Sequence, residues 1–513
     1  MPGGNGSSAL LDVRSARQAL SAAPGNEKVD LLLSAPDPEA LVQSIPEHEL
    51  YLAVLEVGPE DAAEIVALSS PEQFRHFLDL SVWPRRDAGP DPAALLRWLS
   101  YAREGGGHSD RARHRYLEKL GTLDAELRSL VLRRAFRVHD LQEEEEPAIP
   151  ETGRTYRTPE GRYLVEFLEG VDYAVARQLL DDLYSEDVFG TTRLLESLRW
   201  EMPTELEESA RRWRDGRLRD LGFPDLEEAV AFYARPTRRA AHEAPGAGSA
   251  LLPPAPPNLL EQAVAALAGT DRDRAEEGIV YALNAALVAN AVPLEDFGEV
   301  RAALADARRT LSLGLEVLSG GDPGLATRTL AERSVREIFQ TGMGEAYRLQ
   351  SRARKVAIAA RLPQAQTSTL LDPPASDLIE ALSRLRPTFP DPENRRNRRA
   401  LGTRAEISRA EELLDEAQGT VSLLSALGLG PAQVGSVAEA QGIAPTALKA
   451  SDAVRALVLQ RMRDAPELPL REAVEERPAP EGFAAKLDEV LRSAAPSGPS
   501  ERAASRIRGI LSA

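Results

Sequence analysis

Short apolar runs recur along the first part of the chain, over 50–57, 65–68 and 74–80, with a Pro-Glu pair near each. The pairs are Pro38-Glu39, Pro46-Glu47, Pro59-Glu60 and Pro71-Glu72. Proline suits the first helical position, because its missing N–H has no intrahelical partner there. Glutamate beside it meets the positive end of the helix dipole. Asp37, Gly58 and Ser70 precede three of these prolines as N-caps. A spacing of roughly 8–13 residues allows helices of only a few turns, too short to bury an apolar face alone. They must stack, which predicts a short-helix, α-solenoid-like domain over 29–141. Asp91-Pro92 opens a further helix that holds Trp98, and 109–120 and 123–138 read as two more.

The pattern then changes period. Residues 155–157 and 162–167 flank Thr158-Pro159-Glu160-Gly161, and their alternation predicts a small β-hairpin. An acidic linker is expected over 142–161 and a hairpin-plus-helices module over 162–235. Within the module Pro203 stops one helix, and Thr204 with Glu207 has the spacing of a capping box for the next. Leu206, Ala210 and Trp213 form the expected buried stripe. Gly222, with Pro224 beyond it, is placed to end that helix in a left-handed cap. Asp225 and Glu228 repeat the capping spacing, and Leu226, Ala229, Val230 and Tyr233 carry the following stripe.

A Pro-rich linker over 236–257 precedes a C-terminal helical domain over 258–466. Asn258 and Glu261 open it at capping spacing. Residues 275–290 are apolar on several sides, which places Asn284 in a buried face with Glu316 as a candidate partner. Asp322-Pro323 starts another helix, Gly342-Met343-Gly344 is expected to break one, and further helices are expected over 405–417, 421–427, 431–440 and 445–462. The ends are expected to be an arm over 1–28, with a short helix at 10–20, and a flexible acidic, Pro-rich tail over 467–513, with short helices at 483–493 and 501–511. The fold class is mainly α: an N-terminal α-solenoid-like stack of short helices, one small β-hairpin and a C-terminal helical bundle.

Composition agrees. Aromatic residues make only 5% of the 513 against 43% for all hydrophobic types, so the cores must be leucine, valine and alanine, which favours helices. A formal net charge of -18 repels nucleic-acid phosphates and anionic membranes. The absence of cysteine excludes disulfides and thiolate chemistry and fits a cytoplasmic protein. No signal peptide stands out, and the longest apolar run, 279–294, is shorter than the ~20 residues a membrane span needs.

The chemistry-bearing residues are concentrated in the central module. Arg199, Glu201, Glu208, Arg212 and Arg217 are candidate ligand- or partner-binding residues; the alternative is a set of surface salt pairs, such as Glu207–Arg211 and Glu208–Arg212 at i, i+4. No H-E-x-x-H, P-loop or G-x-S-x-G is present. No catalytic, cofactor-binding or metal-binding residue is therefore assigned, and no cofactor is expected. Asp110, His114 and Glu118 share a helix face and read as solvated. Arg386, Arg395, Arg396, Arg398, Arg399, Arg404 and Arg409 form the one basic concentration, with Glu393, Glu406, Glu411 and Glu412 close by to neutralise several of the charges.

Arg199-Trp200-Glu201, Leu206-Glu207-Glu208, Leu221-Gly222-Phe223, Glu228-Ala229 and Tyr233 resemble an uncharacterised, mostly helical bacterial family of unknown function. Glu49-Leu50-Tyr51, Ser70-Pro71-Glu72-Gln73 and Leu313-Gly314-Leu315-Glu316 are similar to it as well, a span of about 29–349. The resemblance implies a helical bacterial protein and carries no catalytic residue. The leading expectation is a non-enzymatic protein-interaction or regulatory scaffold with a protein partner. The alternative is an enzyme or small-ligand binder with a charged cleft around Arg199 and Glu201. A lesser one is phosphate or nucleic-acid binding through the 386–409 arginines.

Overall fold

The computed structural model describes residues 25–83, 89–107, 109–144, 147–149, 154–200, 202–234, 258–363, 368–392, 394, 397–475, 478–494 and 499–512. The expected helix at 10–20 and the linker over 236–257 lie outside them. Among the described residues there are 24 α-helices and two small sheets, so the chain is mainly α. It divides into two compact units. The first takes the described residues up to Phe232 together with Leu267–Ala305; the second takes Leu259–Ala266 and the chain from Asp306.

The first unit begins with eight short helices: α1 (Gly25–Leu33), α2 (Pro38–Gln43), α3 (Glu47–Val57), α4 (Ala63–Leu68), α5 (Pro71–Ser81), α6 (Pro92–Glu104), α7 (Asp110–Gly121) and α8 (Ala125–Ala135). Each packs on the next but one, α1 on α3, α2 on α4, and so on to α6 on α8. Such short helices hold together only by sharing a core. Tyr51, Phe77 and Trp98, from α3, α5 and α6, form its aromatic centre, with ring centroids 5.5–6.2 Å apart. Asp37 caps α2, Asp91 caps α6, and Ser70 forms a full capping box with Gln73 on α5, each ahead of a proline in the first turn. Pro59 departs from this rule. Residues 59–62 form turns, and α4 starts only at Ala63, with no side-chain cap.

The helix expected over 123–138 is shorter than its pattern. α8 ends at Ala135, and Phe136 turns extended to open strand β1 (Phe136–Asp140). The expected hairpin is present as β2 (Arg154–Arg157) and β3 (Tyr163–Phe167), and β1 adds to it antiparallel in the order β1-β3-β2. Phe136 and Asp140 alternate inward opposite Phe167 and Tyr163, and the edge-to-face Phe136–Phe167 contact at 5.2 Å favours strand over further helix.

α9 (Tyr173–Glu186), α10 (Val188–Trp200), α11 (Pro203–Asp220) and α12 (Leu226–Ala231) follow. α11 starts at Pro203 with Met202 as an N-cap that offers no side-chain bond. The expected Thr204–Glu207 box is absent, because the helix starts at Pro203, which puts Thr204 inside its first turn and not at the cap, and Glu207 binds Arg211 and Arg134 instead. The buried stripe of α11 is Ala210, Arg214 and Leu218, while Trp213 lies 59% exposed. The α11 end is as expected: Gly222 has φ +82°, and Phe223 N–H donates to the Leu218 carbonyl at 2.8 Å. On α12 Ala229 is buried, with Phe232 just beyond the helix, and Leu226 and Val230 face out, a rotation of the expected stripe.

α13 (Leu259–Ala266) belongs to the second unit and α14 (Gly269–Ala289) to the first. The first turns of α14 are charged and exposed, whereas its second half is apolar on several sides, with Ile279 to Leu283 consecutively buried. Asn284 donates to the Gly222 carbonyl at 3.2 Å, whereas Glu316 accepts from the Arg404 backbone N–H, so the expected pairing of the two is corrected.

α15 (Phe297–Ser319) enters the second unit at Asp306. α16 (Pro323–Glu332), α17 (Val335–Ala359), α18 (Ala375–Leu382), α19 (Arg404–Ala426), α20 (Pro431–Ala440), α21 (Ala450–Arg463), α22 (Leu470–Val474), α23 (Phe483–Ala494) and α24 (Pro499–Ser512) complete it, with a two-residue ladder between Phe389–Pro390 and Arg398–Arg399. Gly342 and Gly344 do not break a helix; both lie inside α17. A Cβ on Gly342 would stand 2.1 Å from the Thr310 carbonyl oxygen, and one on Gly314 would stand 1.9 Å from that of Ile338. α15 and α17 therefore cross backbone to backbone. α19 is likewise one helix where two were expected, and its Gly419 admits the Pro499 carbonyl at the start of α24. The segment expected as a flexible tail buries Phe483, Leu487, Leu491 and Ile507 in the same apolar cluster as Val454 and Val458.

No single helix among the described residues is long and apolar enough to cross a membrane. The bent pair α19 and α20 passes such a test only jointly, and its Leu413, Leu414, Leu423, Leu424 and Val434 are buried in the cores of its own unit.

Candidate functional site

Arg199, in the last turn of α10, reaches the end of the three-stranded sheet. There Asp140, at the close of β1, accepts from Arg162 Nε at 3.1 Å and Nη2 at 2.8 Å, from Arg199 Nη1 at 3.3 Å and from the backbone N–H of Gln142 at 3.0 Å. One turn before Arg199, Glu196 accepts from the Tyr163 hydroxyl, from Arg162 at 3.3 Å and from the Trp200 indole N–H at 3.3 Å. Glu143 takes the other edge of Arg199. Hydrogen bonds from Arg162 hold the Asp140 carboxyl below the usual carboxylate range, and the Tyr163 hydroxyl does the same for Glu196. Burial, reinforced by Glu196, pushes the Tyr163 phenol up. These three groups are thus driven away from neutrality, the reverse of what general acid–base catalysis needs.

On the opposite sheet face His139 Nε2 lies 3.1 Å from Glu166, which also meets Arg137 at 3.4 Å. This trio escaped the sequence reading, because its members sit on strands whose pairing is not written in local spacing.

Arg217 belongs to a different cluster. It binds both oxygens of Asp79 at 2.7 Å and both of Asp124, at 3.1 and 2.7 Å. Arg214, one turn earlier on α11, donates to the Asp79 carbonyl at 2.6 Å and lies 5.3 Å over the Trp83 ring. His76, on α5 with Asp79, is buried, and among the described residues neither of its ring nitrogens is hydrogen-bonded. Burial first, then the nearby His48 and Arg217, lowers its pKa to about 3.

Among the described residues Glu208 and Arg212 pair only with each other, at 3.1 Å, in solvent. Glu201 lies outside the described residues. The four described candidates therefore do not converge: Arg199 and Arg217 serve two separate clusters, in each of which the guanidiniums are held by carboxylates. Large apolar side chains are exposed on α10 and at the cap of α11. Phe189 is 80% exposed, Trp200 67% and Met202 60%.

Arg395 and Arg396 lie outside the described residues. The other arginines of the basic run are engaged: Arg386 over the Tyr233 ring at 4.0 Å, Arg398 near Glu380, Arg399 on Glu406 at 2.6 Å, Arg404 on the Gly320 carbonyl and Arg409 on Glu412. His114 meets Glu118 at 3.4 Å in solvent. Among the described residues no group of three or more His, Asp or Glu side chains is arranged to hold a metal.

No curated protein and no solved structure is found to match this chain. The model of the family described as "Family of unknown function (DUF6178)" matches residues 5–462, most of the chain, and the chain belongs to that family.

Proposed function

We propose that the chain is a non-enzymatic protein-interaction or regulatory protein of the cytoplasm, which takes a protein partner on the outer faces of α10 and α11. The observation that carries this reading is that Phe189, Trp200, Met202 and Trp213, all on α10, α11 or the N-cap residue of α11, are exposed. Large aromatic side chains left in solvent are the anchors from which interfaces draw most of their energy. The rival reading, a charged catalytic cleft around Arg199 and Glu201, loses support because Arg199 and Arg217 serve separate clusters and Arg212 stands in solvent.

The test is affinity capture by the full chain from native lysate. Wild type is compared with a Phe189→Ser/Trp213→Ser variant and with Ile358→Ser, an exposed position of the second unit. The reading requires one stoichiometric partner that the double variant loses and Ile358→Ser keeps. Recovery of the chain alone, or of the same partner by all three, would falsify it.

A further inference from the structure

A cavity of about 220 Å³ opens between the last turn of α6 and the first turns of α9, with Tyr116 of α7 contributing to it. Its volume equals that of about seven water molecules in the liquid, which fits a small metabolite. Leu99, Val175 and Leu179 make an apolar wall; Arg103, Glu104 and Tyr116 supply the polar groups.

The Arg103 guanidinium is fixed rather than loose. Its Nε donates to Asp182 Oδ2 at 2.9 Å, and the amide of Gln178, another lining residue, donates to Oδ1 of the same carboxylate at 3.2 Å. Asp182 is nearly buried, so it acts as an internal post that orients both side chains, the arrangement expected of a preorganised site. Among the described residues the two Nη groups of Arg103, the Glu104 carboxylate and the Tyr116 hydroxyl make no hydrogen bond, and the Arg103 guanidinium is ion-paired with Asp182 alone. Burial keeps the Tyr116 phenol protonated and hence a donor. One cavity thus presents a free guanidinium edge and a hydroxyl donor, a free carboxylate on the adjacent residue, and an aliphatic wall.

We propose that this cleft binds a free α-amino acid with a short aliphatic side chain. The planar edge of Arg103 and the Tyr116 hydroxyl take the carboxylate, since a guanidinium fork matches two carboxylate oxygens. Glu104 takes the ammonium, and Leu99, Val175 and Leu179 cover the side chain. An internal peptide segment carries neither charge, and a chain terminus carries only one. The paired charges therefore select the free amino acid.

The probe is L-valine, titrated calorimetrically into the full chain, with N-acetyl-L-valine and L-valinamide as the arms that remove one charge each. Saturable L-valine binding is expected, with each derivative at least about tenfold weaker, the loss of one charged hydrogen bond. Glu104→Gln should weaken L-valine about tenfold and leave N-acetyl-L-valine unchanged. Ala174 lines the mouth and is solvent-exposed, so Ala174→Phe plugs the cleft without touching a core; with its melting curve unchanged it should abolish binding. The proposal falls if L-valine does not bind, if N-acetyl-L-valine binds as well as L-valine, or if Ala174→Phe binds normally.

Discussion

His76 is a polar ring in an apolar place. Tyr51 meets it edge-on at 6.4 Å, and among the described residues neither of its nitrogens has a hydrogen-bond partner. Its pKa falls from an ordinary 6.5 to about 3 on folding. Between those values the unfolded chain binds a proton that the folded chain refuses, so stability declines as pH drops below 6.5. From about pH 7 to about pH 5 this one group should cost roughly 2 kcal/mol. Urea denaturation of His76→Leu should lack that part of the pH dependence; an unchanged slope would show that the ring protonates in place. Arg217 and Arg212 lie five residues apart on one helix and were equal candidates in the sequence. Arg217→Met strands the buried Asp79 carboxylate and should cost about 3–5 kcal/mol. Arg212→Met removes an exposed pair and should stay within about 0.5 kcal/mol. The residue types were legible, but their partners were not. Asp79 is 138 residues from Arg217 and Asp140 is 59 from Arg199, and no local spacing encodes such distances. Trp213 shows the same limit: periodicity gave α11 an apolar flank but could not tell that Arg214, held by the Asp79 carbonyl and the Trp83 ring, would take the inner position.

Helices were most legible where chemistry at their ends is local. Ser70 with Gln73, Asp91, Asp322 and Gly222 all act within four residues of themselves, so the sequence carries the whole signal. The interiors were misread where a glycine answers to a neighbour. Gly342 and Gly344 look alike in sequence, and either should weaken a helix by about 1 kcal/mol relative to alanine. In the fold they differ completely. Gly342 receives the Thr310 carbonyl, whereas a Cβ on Gly344 would meet nothing within 4 Å. Gly344→Ala should therefore stabilise by about 0.5–1 kcal/mol. Gly342→Ala should destabilise by about 1–3 kcal/mol or more, because two backbones must separate. Equilibrium denaturation of the pair gives a difference of sign, and equal effects would mean that α15 and α17 do not cross there. Strand β1 was missed for a related reason: Phe136 and Val138 suit helix or strand, and only β3, more than twenty residues on, decides between them.

Across the whole chain, acids exceed bases by 18, and arginines such as Arg199, Arg217, Arg352 and Arg399 are paired with carboxylates of the same chain. This leaves little free positive charge to attract a polyanion, and it makes apolar packing the main determinant of each unit's integrity. The second unit puts this to the test at its C-terminal end. The family match stops at residue 462, but the core does not. Leu487, Val490 and Leu491 of α23 and Ile507 of α24 are fully or almost fully buried against Val454 and Val458 of α21, and α24 lies close on Gly419 of α19. A chain ended at residue 466 would strip that cover and expose a contiguous apolar surface on α19 and α21. It should bind a hydrophobic dye and lose the cooperative melting of the second unit, while the first unit keeps its own transition. Leu491→Ala in the full chain is the graded counterpart, expected to cost about 2–5 kcal/mol as a buried leucine truncated to alanine. If the shortened chain melts as the full one does and binds no dye, then α23 and α24 are ornaments on a core that closes without them.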